Sequence, residues 1–232
     1  MPTSARDLTF ESHDLSAVLL HSDEDEPLRI CSIREAAELL RRPLAQMQMM
    51  SGAHLLGRSF TTSSGTTYYL RSDIDELSRA PRLDKHDLLQ VTAPEFPALP
   101  TVVLRQAAPR RQDSVERSWY GFDRLFDRST DPAKRAAQDN ATRMFWPVTL
   151  RNRQIVEQAA LAGATIPLVI SVGGWIASCR EITGIDSTLS AAHGSQVAFT
   201  VKSPGDWASR LTDSWLNSGP GKAILWWNHE RN

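Results

Sequence analysis

The side chains of this chain that could do chemistry are dispersed. Histidines stand at 13, 21, 54, 86, 193 and 229, and cysteines at 31 and 179. Metal and thiol-redox sites need such residues at short, regular spacing, as in HExxH or CxxC, and neither pattern occurs. The two cysteines are far apart and have no nearby histidine partners, so free thiols are expected rather than a zinc site. Serine and aspartate are plentiful, but there is no nucleophile elbow and no phosphate-cradling Walker loop. Arg180 and Glu181 form a polar pair in sequence only, because adjacent residues on a strand face opposite ways. The expectation is a binding protein without a catalytic site, a metal or a cofactor.

Two groups of residues have the chemistry of recognition instead. Gln46 and Gln48 carry amides that can pair with the edge of an adenine. Arg34, Arg41, Arg42, Arg58 and Arg71 lie before and after them, and each phosphate that an arginine neutralises adds a salt-dependent term to affinity. From Leu44 to Leu56 there is no arginine or lysine, so the grip of that stretch is thin. The second group is Trp146, Trp175, Trp226 and Trp227, whose indole faces could hold a base. The plainer role of each tryptophan is core packing.

The elements that would position these residues are legible in part. Ser32 is an N-cap with Glu35 three residues on, and Ile33, Ala36, Ala37, Leu39 and Leu40 give one apolar stripe. Pro43 opens a second helix that ends near Gly52. LLGRSF and TTYYLR flank a Ser-Ser-Gly turn, a hairpin pattern. SDIDELSR predicts a third helix capped by Ser72.

This order of parts resembles the excisionase-like, MerR-type winged helix-turn-helix. The resemblance rests on SIREAAELL, LAQMQMMSG, GRSF and TYYLRSDIDEL, and covers about fifty residues. It implies a second helix in the major groove of duplex DNA, with Arg41, Arg42, Leu44, Ala45, Gln46 and Gln48 facing the groove. It also implies a wing bearing Arg58, Thr66 and Arg71, with Arg34 as a further phosphate contact. Such modules often work as homodimers, since two half-sites multiply a weak single contact. In the rival reading the fold is a scaffold for a protein partner. Buried Met47, Met49 and Met50 would favour the DNA reader, and exposed ones the adaptor.

The charge distribution fits a shielded module. The chain has 232 residues and a net charge of -1. Residues 1–27 hold one arginine against seven acids, and residues 28–83 hold eight arginines against five acids. The first segment reads as a flexible acidic leader and the second as the winged module. Pro94, Pro97, Pro100 and Pro109 predict a linker over 84–114, in which VVL could still pair as an edge strand. No run is long enough to span a bilayer and no signal peptide opens the chain, so a cytoplasmic protein with no membrane partner is expected.

Residues 115–232 predict a further α+β domain. Trp119, Phe122, Leu125 and Phe126 recur at helical spacing. Asp131 and Pro132 open a helix running to about Arg143, and Arg151 to Ala162 form the next, stopped by Gly163. PLVISV-GG-WIASCREI predicts a type I′ hairpin with Val172 opposite Trp175 and Ile170 opposite Ala177. QVAFTV and KAILWW add strands, with DWASRLTDSWL as a helix between them. The order FWPV, GGWIASCREI, QVAFTV and ILWW resembles PUA-like domains of the EVE type over about ninety residues. That resemblance implies a small mixed β-barrel with flanking helices, and a pocket for RNA or a modified base with one of the four tryptophans on its wall. The whole reads as α+β.

Overall fold

The computed structural model describes residues 29–228 except 113, 115, 192, 195 and 220, so the acidic leader lies outside the described residues. The chain is mixed α+β, built around a curled half-barrel sheet. Its first elements are β1 (Ile30–Ser32), α1 (Ile33–Leu40), α2 (Leu44–Gly52), β2 (Ser59–Thr61), β3 (Thr67–Leu70) and α3 (Arg71–Arg79). They follow the sequence closely. Ser32 and Glu35 form a reciprocal capping box, satisfying two backbone donors that the helix leaves open. Strand β3 lies between β1 and β2 in a small antiparallel sheet. The third helix starts two residues earlier than expected, so Leu70 rather than Ser72 is its N-cap.

The next stretch departs from expectation. Residues 84–114 hold α4 (Lys85–Thr92), β5 (Thr101–Gln106) and β6 (Arg110–Arg111) instead of a free linker. Asp84 caps α4 through a second capping box with Asp87. Pro94, Pro97 and Pro100 fall between the helix and the strand, where they break nothing. Val102, Val103 and Leu104 are fully buried, and β5 has a neighbour on each side, β14 (Ile224–Trp227) and β9 (Ile166–Val172). An apolar run without alternation is the mark of a strand covered on both faces, and that outweighed the prolines.

Then come β7 (Trp119–Tyr120), α5 (Arg124–Asp127), α6 (Pro132–Arg143), β8 (Trp146–Pro147) and α7 (Leu150–Leu161). Residues 116–128 thus hold a short strand and one helical turn, not a long helix. Asp131 and Pro132 start α6 as expected. The main sheet is completed by β10 (Trp175–Ile185), β12 (Phe199–Lys202), β13 (Trp215–Leu216) and β4 (Arg82–Leu83). Its order is β14-β5-β9-β10-β13-β4, with β12 on the far part of β10. Only a 3-10 turn, Asp206–Arg210, stands where DWASRLTDSWL predicted a helix. Gly173 and Gly174 both have positive φ, and Val172 pairs with Trp175, as a type I′ turn requires. Farther along, Ile170 pairs with Ser178 rather than Ala177, because the register shifts between Ile176 and Ser178.

One apolar cluster crosses from the first helices into the sheet. It joins Leu40, Met47, Met50 and Ile74 to Ile170, Val172, Trp175 and Trp215. A boundary at 83–84 would cut both this core and the sheet, since β4 at 82–83 pairs with β13. Glu181 knots the other end of β10. Its carboxylate accepts from Thr165 Oγ1 at 2.6 Å, the Gly205 amide at 2.9 Å and Trp207 Nε1 at 3.1 Å, and pairs with Lys202 Nζ at 3.0 Å. Its neighbour Arg180 points the other way, to Asp127 and Asp139.

Candidate nucleic-acid surface and an aromatic pocket

Helix α2 turns one side inward. Met47 and Met50 are fully buried and Met49 packs partly against the same core. The hydroxyls of Ser51 and Tyr69 are hydrogen-bonded and tie the helix to β3. Leu44, Ala45 and Gln48 remain exposed, and Arg41 sits beside them. Arg41 holds the left-handed conformation that ends α1, at φ 52. The exposed Thr66 closes the hairpin turn between β2 and β3.

The other sites expected on this face are placed differently. The Arg42 guanidinium lies 4.4 Å over the Trp215 ring, with Nε buried and unpartnered. Burial pushes its pKa down, and nearby Arg82 adds to that. The Gln46 side-chain oxygen is also buried, because the hairpin tip presses on the helix there. A Cβ on Gly173 would come within 2.9 Å of the Gln46 carbonyl oxygen. Arg58 forms a two-pronged pair with Asp73, at 3.2 and 2.8 Å, and Arg71 pairs with Asp75 at 2.9 Å. Of the five arginines expected on phosphate, only Arg34 and Arg41 remain exposed without a carboxylate partner among the described residues. Sequence order predicted where the arginines fall; the i,i+4 spacing of Arg71 and Asp75 was within its reach, but the pairing of Arg58 with Asp73, fifteen positions on in α3, was not.

Between the first helices and the sheet lies a cleft of about 710 Å³, lined by His54, Arg58, Asp73, Arg124, Trp175 and Asp213. Most of its charges are already paired. His54 Nδ1 is 3.0 Å from Asp123, and this hydrogen bond raises the histidine pKa. Arg124 and Arg128 both reach Asp213.

A smaller pocket of about 290 Å³ has another character. The end of β5, the end of β7 and the Met144–Trp146 segment form most of its walls. Tyr120, Phe145 and Trp146 supply rings, Arg105 and Arg117 supply cations, and no Asp or Glu lines it. Arg117 lies 5.5 Å from both the Tyr120 and Phe145 ring centres. It donates to Gln112 Oε1 at 2.9 Å and to the Ala141 carbonyl at 3.4 Å. Burial is the main influence on it and lowers its pKa. Gln106 is 6 % exposed and donates from Nε2 to the Thr142 carbonyl at 3.2 Å, while its Oε1 has no partner.

Trp146 is the one tryptophan of the expected four on this wall, and its Nε1 donates to the Thr142 carbonyl at 2.7 Å. Trp175 is 3 % exposed and packs edge-on against Trp215, so it belongs to the core. Trp226 and Trp227 lie half-buried on β14 against two different apolar clusters. Arg105, Gln106, Arg117, Tyr120 and Phe145 were not foreseen. The RSWY and MFW runs hold the signal, but only the fold brings them together.

No protein-family model, curated protein or solved structure matches this chain. Among the described residues, no cluster of three or more His, Cys, Asp or Glu is placed to hold a metal, and no helix is long and apolar enough to cross a membrane.

Proposed function

We propose that this is a DNA-binding regulatory protein whose residues 29–83 dock on duplex DNA as a winged helix-turn-helix. The observation that carries the reading is the inward turn of Met47 and Met50. It leaves α2 an outer stripe of Leu44, Ala45 and Gln48, with Arg41 beside it and the Ser63–Thr66 turn as the wing tip. Gln48 is the residue able to read a base edge, and Arg34 and Arg41 hold phosphates. With so few free cations the single-module affinity is low, and a second copy on an adjacent half-site would supply the rest. The test is a fluorescence-anisotropy titration of the full chain with a random duplex at two salt concentrations. Binding should weaken with salt, and Arg34→Ala with Arg41→Ala should reduce the log–log slope by about two. An unchanged slope overturns the reading.

One observation favours a protein partner instead: Arg58 and Arg71 are already neutralised by Asp73 and Asp75, and Leu44 is 37 % exposed on the same face. In that case the duplex titration gives no binding at any salt concentration.

A further inference from the structure

We propose that the pocket between Arg105, Arg117 and Trp146 is a binding site for a nucleotide, meaning an aromatic heterocycle carrying a phosphate. The ring would lie among Tyr120, Phe145 and Trp146, the phosphate at Arg105 and Arg117, and a ring or exocyclic N–H at Gln106 Oε1. Three observations meet in that assignment. The first is the wall itself, which is aromatic and cationic with no carboxylate in it. The half-buried Arg117 guanidinium is hydrogen-bonded to Gln112 and the Ala141 carbonyl and feels the adjacent Glu116 only through space, so an anion in the pocket would give it a direct charged partner.

The second is Gln106. Its amide nitrogen is held by the Thr142 carbonyl, which fixes the orientation of the group and leaves the oxygen unpaired. Buried side-chain oxygens are rarely left so, and this one needs a donor. A base edge has a donor on an aromatic face, whereas inorganic phosphate has a P–OH donor and no face to stack on the rings. The third is the approach. Strand β6 places exposed Arg110 beside β7, in register with Tyr120, so a further cation stands next to the pocket. The size suits one base rather than a large ligand.

The assignment stands whether or not the helix face binds DNA, and the experiment keeps the two apart. Full-length protein is titrated by calorimetry with the four nucleoside 5′-monophosphates, a single-stranded pentanucleotide, the matching nucleosides and inorganic phosphate. At least one monophosphate or the pentanucleotide should bind, and both its nucleoside and inorganic phosphate should bind more weakly. Tyr120→Ala, at an exposed position, and Arg117→Ala should each lower the affinity about tenfold, with thermal unfolding run as the control for folding. Arg34→Ala with Arg41→Ala should leave it unchanged. Binding of a monophosphate identifies a free nucleotide as the ligand, and binding of the pentanucleotide alone identifies a base within a strand. Either supports the assignment. No binding by any nucleotide, equal binding of inorganic phosphate, or binding that Arg41 controls and Tyr120 does not, overturns it.

Discussion

The helix face and the aromatic pocket have similar chemistry and opposite construction. The face is open, but three of its five arginines are spent, two on neighbouring acids and one on Trp215. The pocket is recessed and no carboxylate lines it, Glu116 acting on Arg117 only from outside the wall. A count of cations would rank the face above the pocket, whereas partnering reverses the order. Exposed pairs such as Arg58–Asp73 contribute little to stability, so their main effect is to remove charge from the surface. An arginine held against rings and carbonyls keeps its charge available.

Several changes would break or sharpen this contrast. The largest effect is expected at the hairpin that braces α2. Gly173→Val combines a positive φ with a side chain driven into the Gln46 carbonyl and Met50, and should cost about 3 kcal/mol. Chemical denaturation should show this as a single transition shifted to lower midpoint. A loss confined to the first helices would show instead that the face is independent of the sheet.

Acid should act on the sheet through Glu181. Burial alone would raise its pKa, but the donors Thr165, Lys202, Trp207 and Gly205 outweigh that and hold it at about 2. A carboxyl lowered from an ordinary value near 4.5 contributes stability above that pH and loses it as pH falls toward 2. The full contribution is on the order of 3 kcal/mol. Melting temperatures between pH 5 and pH 2 should therefore fall more steeply in the wild type than in Glu181→Gln, and parallel curves would contradict this.

Smaller changes concern the face alone. Asp73→Asn frees Arg58 and should steepen the salt dependence of duplex binding by about one, at little cost in stability. Arg42→Ala should do the reverse. The loss of its position over Trp215 should cost about 1 kcal/mol in denaturant unfolding and leave the salt slope unchanged. A flatter slope in Arg42→Ala would return that residue to the DNA surface.

Local patterns were legible in the sequence, and partnerships across the fold were not. The Ser32–Glu35 box, the Asp131–Pro132 start and the two-glycine turn are set within a few residues, and each formed as read. The prolines of 94–100 misled, because they are compatible with either a linker or the approach to a buried strand. The triple run Val102-Val103-Leu104 decided between these, and its meaning depends on having neighbours on both sides. The pocket draws on residues 105 to 146, and no short-range rule connects Gln106 to Arg117 and Trp146. Likewise Arg58 is separated from Asp73 by fifteen positions.

The two glycines that touch α2 bear on how the molecule opens. Gly173 meets the helix at Gln46, and Gly52, at its end, would bring a Cβ within 2.8 Å of Ala108. The helix is therefore seated near its start on the β9–β10 turn and at its end on the chain leaving β5, both anchored in the main sheet. Its amides, and those of β9 behind it, should form one cooperative unit in hydrogen exchange. The protons of Met47 and Met50 would then be released only when β9 and β10 also separate, at the pace of global unfolding rather than of a fraying surface helix.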